Sequence, residues 1–328
     1  MLKTQSKILY RALPLLFIQF VLLNNFARAN IIARYGGEFM AGGGGARALG
    51  IGSAYAAQTG EAWCLFWNPS GLAELSYLET ALMHSERFTG IVDYDVAAVA
   101  QPQPDGSVLA SGFIRLGVNG IPFTRKERPG APLGDDNRVV VTKIVNEGEY
   151  AFYIAKAAKW GRWRWGVAPK LVFKHLGSDY RAYGLGVDVG VSGRPINQIP
   201  IEVGCVARDL WGTLLAWEQT GRKEIIVSSL RLGLASQFEV KALEARITPA
   251  VDVSYRLESL GDPGAGAVHW GLEYLVHDLV ALRVGRDDTR LTFGGGLSLR
   301  PVSLDYAYVD HDQLGETHRV SLALRWGR

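Results

Sequence analysis

Along most of this chain, apolar residues alternate with polar or small ones. Trp163, Trp165, Val167, Leu171 and Phe173 share one parity, and Arg164, Gly166, Ala168, Lys170 and Lys174 share the other. Tyr183, Leu185, Val187, Val189 and Val191 alternate with Ala182, Gly184, Gly186, Asp188 and Gly190. The same holds for Val268 to Val276 against His269, Gly271 and Glu273, and for Val320 to Trp326 against Arg319, Ser321, Ala323 and Arg325. A period of two belongs to strands with two different faces; helices repeat near 3.6. From about residue 75 the pattern predicts about fourteen strands, over 75–84, 92–101, 107–117, 149–159, 162–175, 181–192, 199–208, 225–238, 246–257, 266–277, 279–287, 291–299, 301–310 and 318–326, with weak alternation near 108–116 and 150–159. Strands of roughly ten residues, even in number, are what a bacterial outer-membrane barrel needs.

The connections support this. Long segments (118–148, 209–224, 258–265) follow odd-numbered strands, whereas tight ones (Pro102 to Gly106, Trp160-Gly161, His277-Asp278, Arg300-Pro301) follow even-numbered ones. Short periplasmic turns and longer extracellular loops give a membrane barrel this asymmetry. Trp and Tyr near strand ends suit an interfacial girdle, and Gly, Ala, Ser and mixed charge on the other face suit a tight polar lumen. The apolar face is therefore expected outward. The fold expected is all-β: a transmembrane antiparallel β-barrel with an N-terminal glycine-rich plug.

Composition narrows the class. The 328 residues are 48% hydrophobic and 20% charged, too apolar for a disordered chain and too polar for a bundle of membrane helices. Thirty-five basic and 32 acidic side chains are spread without a basic stripe, which argues against a nucleic-acid partner. Cys64 and Cys205 are far apart and form neither a metal spacing nor a disulfide framework. Lys3, Lys7 and Arg11, the apolar run Ala12 to Leu23, and Ala27-Arg28-Ala29 read as a signal peptide over 1–29, cleaved after Ala29. Residues 30–74 then form the expected plug: glycines crowd 36–52, and Glu61 to Leu72 reads as a short helix or turn with Trp63, Phe66 and Trp67, broken at Asn68-Pro69. Residues 75–328 form the barrel. The localisation expected is the bacterial outer membrane.

The run Ala46-Arg47-Ala48-Leu49-Gly50-Ile51-Gly52-Ser53-Ala54, with Trp67-Asn68-Pro69-Ser70-Gly71-Leu72, resembles the N-terminal signature of the PorV/PorQ family, within the wider FadL-like group of outer-membrane proteins. Leu304-Asp305-Tyr306-Ala307, Leu314-Gly315 and Thr317 to Leu322 resemble that family's last hairpin. Gly60-Glu61 stands where the family often has an acidic pair, and Ser70 replaces the usual Ala. The resemblance implies a fourteen-stranded barrel with a hatch in its lumen. It implies a PorV-like scaffold or shuttle for type IX-like secretion or surface attachment, partnered by other outer-membrane or secreted proteins. The alternative it implies is a FadL-type channel that takes up hydrophobic compounds such as fatty acids.

The candidate plug or gate residues are Arg47, Gly50, Gly52, Trp67, Asn68, Pro69 and Gly71. Asn, Pro and Gly set a tight turn, which serves either a moving gate or a rigid wedge. Parity puts Asp188, Glu202, Arg231, Asp252, Glu273, Arg283, Asp305 and Arg319 on the lumen face, together with Asp93, Asp95, Arg115, Lys170, Arg208, Arg256 and Arg325. Confined charges must be paired or hydrated, so these form a salt-bridge lattice or line a selective polar pore. Loop 118–148, with Arg125-Lys126-Glu127-Arg128, is either a binding loop or a solvated one. The Gly42–Gly52 stretch lacks the strand and acidic partner of a dinucleotide loop. Asp310-His311-Asp312 lacks the full calcium-loop pattern, and no nucleophile elbow is present. No enzyme activity, cofactor or metal is expected; the partners expected are outer-membrane lipid, other proteins and a hydrophobic small molecule.

Overall fold

A computed structural model of the chain describes residues 38–88, 90–196, 198–257, 266–310 and 316–327. The signal peptide, Gly36 and Gly37, loop 258–265 and the last-hairpin residues His311, Asp312, Leu314 and Gly315 lie outside the described residues. Alternating residues from Leu78 onward form seventeen strand segments: β1 (Leu78–Arg87), β2 (Val92–Pro102), β3 (Val108–Lys126), β4 (Val139–Trp160), β5 (Trp163–Leu176), β6 (Tyr180–Gly193), β7 (Ile201–Arg208), β8 (Thr213–Trp217), β9 (Lys223–Ile226), β10 (Ser229–Ser236), β11 (Phe238–Val240), β12 (Ala245–Arg256), β13 (Gly266–Val276), β14 (Val280–Asp287), β15 (Arg290–Leu299), β16 (Val302–Val309) and β17 (Thr317–Trp326). Every pairing is antiparallel, and β1 pairs with both β2 and β17, which closes the sheet.

Several segments share one barrel strand. β7 and β8 both lie along β6, the first at Val189–Gly193 and the second at Ala182–Leu185. β10 and β11 both lie along β12, and β9 runs on into β10 two residues later. The wall is thus a closed barrel of fourteen strands. The break between β7 and β8 has a cause. Asp209 and Trp211 take positive φ (50° and 65°) before Gly212, turning the Asp209 carboxylate inward to Lys170 Nζ at 2.9 Å. Thr213 Oγ1 donates to the same carboxylate at 2.7 Å.

Outward positions carry the apolar parity of the sequence. Leu185, Ile154, Leu171, Val268, Leu282 and Val320 are exposed, and Leu185 reaches 72%. Exposed Trp160, Trp165 and Trp326 stand toward the short-turn end, and Tyr180 and Tyr183 toward the other. An apolar band between aromatic girdles is the surface of a barrel that sits in lipid. No helix among the described residues is long and apolar enough to cross a membrane; the strands do the crossing.

Three expectations need correction. Segment 118–148 is mostly strand: β3 continues to Lys126 and β4 begins at Val139, so a ribbon rises past the barrel and only 127–138 form its tip. Segment 209–224 holds β8 and the start of β9, because Leu215, fully buried, gains an apolar seat by continuing the wall. Asp93, Asp95 and Arg115 face outward. Their strands turn Tyr94, Val96, Ala98 and Ile114 inward instead, since this sector of the wall meets an apolar side of the plug. Outside, near the long-loop rim, Asp95 pairs with Arg115 and His84, each at 2.7 Å.

Residues 38–74 fill the lumen. Short helices Glu38–Ala41, Ala46–Gly50 and Cys64–Trp67 lead into a 3₁₀ helix, Pro69–Glu74, whose first turn is capped by Asn68 accepting from the Ser70 amide. Trp63, Trp67, Tyr55 and Leu65 are almost fully buried against the inner wall. The plug backbone comes so close that inward glycines of the strands are contact points. A Cβ at Gly166, Gly190, Gly204, Gly271 or Gly285 would collide with plug atoms. Gly271→Ala should therefore destabilise the plugged barrel by about 1–3 kcal/mol, the usual cost of forcing an atom into a packed interior. Gly130→Ala, in open space, should be neutral. Heat-modifiable mobility in a melting series checks both.

Candidate functional site

The plug is tied to the wall by a continuous lattice. Arg47 Nε and Nη2 each donate to Glu273 at 2.8 Å, a bidentate pair, while Nη1 donates to Glu61 within the plug at 2.8 Å. Glu273 also accepts from Arg283 Nε at 2.6 Å, and Arg283 Nη1 lies 2.7 Å from Asp305. Four strands away, Asp252 Oδ2 accepts from the backbone amides of Tyr55 and Ala56 at 2.8 and 2.9 Å. Arg231 donates to the Ser53 carbonyl at 2.6 Å and stands 3.6 Å from Asp252. Charge-assisted bonds in a dry lumen are the strong ones, and leaving one member unpaired there is costly.

Hydroxyls and a carboxylate complete the ring. Gly52 donates its amide to Thr292 Oγ1 at 3.0 Å, and Ala46 donates to Ser321 Oγ at 3.1 Å. Ala62 donates to Glu79, which is salt-bridged to Arg325. Near the short-turn end, Asn68 Nδ2 donates to the Ala56 carbonyl at 2.6 Å and its Oδ1 accepts from Ser70 Oγ at 2.7 Å. Ser70 Oγ also meets Ser192 Oγ at 2.8 Å, and Ser192 accepts from Arg164, which pairs with Glu74 and Glu202.

The predicted plug residues divide by environment. Arg47 is the ionic hub. Gly52 has positive φ (64°) and lies against the Trp270 and Arg286 backbone, and Gly50 packs on Gly294. Trp67 donates from its indole to the Gly44 carbonyl at 2.8 Å. Pro69 opens the 3₁₀ helix, and Gly71 leaves no room for a Cβ beside Gln58 and Cys64. The structure places Asp188, Glu202, Arg231, Asp252, Glu273, Arg283, Asp305 and Arg319 inside the barrel, all but Arg319 in an ion pair. Glu79, Ser192, Thr292 and Ser321 are not among the residues predicted for the site, because only charged positions, and none on the first strand, count there as lumen candidates. The same parity rule, applied to hydroxyls and to the first strand, would have found them.

A cavity of about 330 Å³ lies in the lumen on the long-loop side of the plug. Met40, Ser53 and Phe66 form its floor; Tyr153, Lys170, Arg208, Arg231, Tyr255 and His269 are on its walls. At the wall break described above it reaches Asp209, Ile226 and Val227. His269 Nε2 faces Arg231 Nη2 at 3.2 Å and its Nδ1 faces Asp287 at 2.7 Å. Arg231 can only donate, so Nε2 accepts and the proton sits on Nδ1. Burial pushes the Cys64 thiol well up, away from the reactive thiolate. Among the described residues, no group of three or more His, Cys, Asp and Glu side chains converges as metal ligands.

With this geometry in view, the fold is recognisable as that of FadL-type barrels. The chain is similar to the Ralstonia pickettii toluene transporter TbuX, at 12% identity and a TM-score of 0.59, covering 87% of this chain and 99% of that one. It is similar to the P. putida toluene transporter TodX with the same identity and coverage and a TM-score of 0.58. It is also similar to a Pseudomonas aeruginosa FadL homologue, at 11% identity and a TM-score of 0.51 over 90% of this chain and 98% of that one. No family model and no curated protein matches the chain. The fold that the FadL-like resemblance implied is the one observed; nothing shows the narrower PorV/PorQ assignment.

Burial pushes the Glu61 carboxyl up to about 7, against the pull of Arg47. A carboxyl raised in the folded state contributes stability that is full below its unfolded value and lost as pH rises through the folded one. Plug seating should therefore tighten from about pH 7.5 to about pH 5 in hydrogen-exchange protection of Ala46–Gly50. In Glu61→Gln that change should flatten; an unaltered slope would assign it to another group.

Proposed function

We propose that the protein is a FadL-type channel of the bacterial outer membrane that passes small, largely apolar compounds, with residues 38–74 as its gate. The observation that carries this reading is the architecture as a whole: a closed fourteen-stranded barrel with a lumen-filling plug and a solute-sized cavity above it, in the fold of TbuX and TodX along nearly their full length. Residues 1–29 serve as the export signal, and the outer apolar band meets the membrane lipid. Loop lengths put the cavity on the extracellular side and the Glu74–Arg164 contact on the periplasmic side.

Passage then requires the plug to shift, not to leave. Ties to β1, β6, β12, β13, β15 and β17 surround it, so ejection would break every one together, whereas a shift of one sector breaks a few. Asn68, held by Ala56 and Ser70, is the hinge-like centre of the periplasmic sector. The PorV-like scaffold role, with other outer-membrane or secreted proteins as partners, has no supporting observation in the site or among the similar structures.

Purified protein in proteoliposomes, with toluene flux read by a trapped fluorescent reporter, tests the reading. Wild-type vesicles should pass toluene faster than empty ones, and Asn68→Ala should raise the flux severalfold while the barrel remains heat-modifiable. Flux equal to empty vesicles in both proteins would end the channel reading.

A further inference from the structure

Three polar side chains of the lumen cavity stand in line from a hydroxyl to a carboxylate. Ser254 on β12, His269 on β13 and Asp287 on β14 come from neighbouring strands, and all three line the cavity above the plug. The register brings them together. His269 lies opposite Asp252 on one side and Asp287 on the other, so Ser254, the next inward residue after Asp252, meets the imidazole diagonally. Ser254 Oγ is 2.9 Å from His269 Nε2, and His269 Nδ1 is 2.7 Å from Asp287 Oδ1. Nε2 already accepts from Arg231, so it is Ser254 that donates to it. The imidazole is buried, and Arg290 holds the second oxygen of Asp287 at 3.0 Å.

A hydroxyl that donates to an imidazole, itself oriented by a carboxylate, is the arrangement of an activated serine. Asp287 fixes the tautomer in which Nε2 can take the hydroxyl proton, and it stabilises the imidazolium that follows. A cation stands ready beside the pair. Arg231 Nη2 lies 3.2 Å from Nε2, and the guanidinium is anchored by the Ser53 carbonyl and Asp252. A fixed positive group where negative charge develops is worth most in a site shielded from water. At rest Arg231 and Arg290 face Asp252 and Asp287. An imidazolium and an oxyanion would appear together, so the local sum of charge would not change. Met40, Phe66 and Tyr153 offer apolar surface to the rest of a substrate.

We propose that Ser254, His269 and Asp287 form a hydrolytic site for small carboxylic esters, with Arg231 meeting the oxyanion. Ser254 Oγ bonds to the ester carbonyl carbon as its proton passes to Nε2. The C–O bond to the alcohol then breaks, and the alcohol leaves with that proton. Water attacks the acyl-serine, giving one proton to Nε2, which returns it to Oγ as the acid departs. The sum is ester plus water to acid plus alcohol. The cavity, about 330 Å³, is at the small end of ligand pockets and suits a short or single-ring ester. Ser254 sits on a strand with no nucleophile elbow, and the three residues stand 15 and 18 positions apart. Such a site is defined by geometry and roles, not by sequence order. The inference goes beyond the channel reading, since hydrolysis needs entry to the cavity and no passage through the plug.

Detergent-purified full-length protein, given p-nitrophenyl acetate, tests it. Wild type should release p-nitrophenolate roughly a hundredfold faster than Ser254→Ala or His269→Gln at equal concentration, the scale of a lost nucleophile or general base. Asp287→Asn should slow it by a similar factor by upsetting the tautomer. A fluorophosphonate probe reads the nucleophile directly in the unaltered protein, so the test survives a variant that fails to fold. Mass spectrometry should place the phosphonyl group on Ser254, and labelling should slow in His269→Gln. A trio that only props the wall would shift the melting temperature of these variants and give no adduct. Wild-type hydrolysis no faster than that of Ser254→Ala, or no adduct on Ser254, overturns the site. Toluene flux without hydrolysis would sink this inference and leave the channel standing; hydrolysis without flux would do the reverse.

Discussion

A plug inside a narrow barrel has no bulk water to satisfy it, so its buried donors turn to acceptors within residues 38–74 or on the strands around them. Much else follows from that need. Asp252 takes two adjacent plug amides, Glu273 takes a whole guanidinium face of Arg47, and Thr292, Ser321 and Glu79 each take one amide. Inward glycines on the strands are the other half of the same bargain: wherever the plug backbone must come within bonding reach of the wall, a side chain there would hold it off.

Under the channel reading, the lattice also sets where the plug can yield. Buried networks are stiff when complete, and their weak points are where a member is missing. On the short-turn side the network is closed through Asn68, Ser70, Ser192 and Arg164. On the long-loop side it opens into a cavity lined by Arg208, whose buried Nε has no acceptor.

The alternation of the wall was legible to within a few residues for most strands, because one face meets lipid and the other a polar lumen, and side chains alternate with a period of two. The lumen charges from Asp188 to Arg319 followed from the same parity. Tyr94 and Val96 did not. Their strands seat Tyr94, Val96, Ala98 and Ile114 against the plug, so parity alone assigned Asp93 and Asp95 to the wrong side. The ribbon above β3 and β4 also escaped, since both of its faces meet solvent and its sequence carries no clear alternation.

By itself, then, the sequence determined that this is a strand-built barrel with a glycine-rich segment ahead of it, because length, period and turn residues are local properties. Tertiary structure alone decided which face of β2 and β3 turns inward, which carboxylate answers Arg47, and which arginines are left without one. Those depend on what stands across the lumen, from strands more than a hundred residues apart, and no local pattern records the neighbour on the other side.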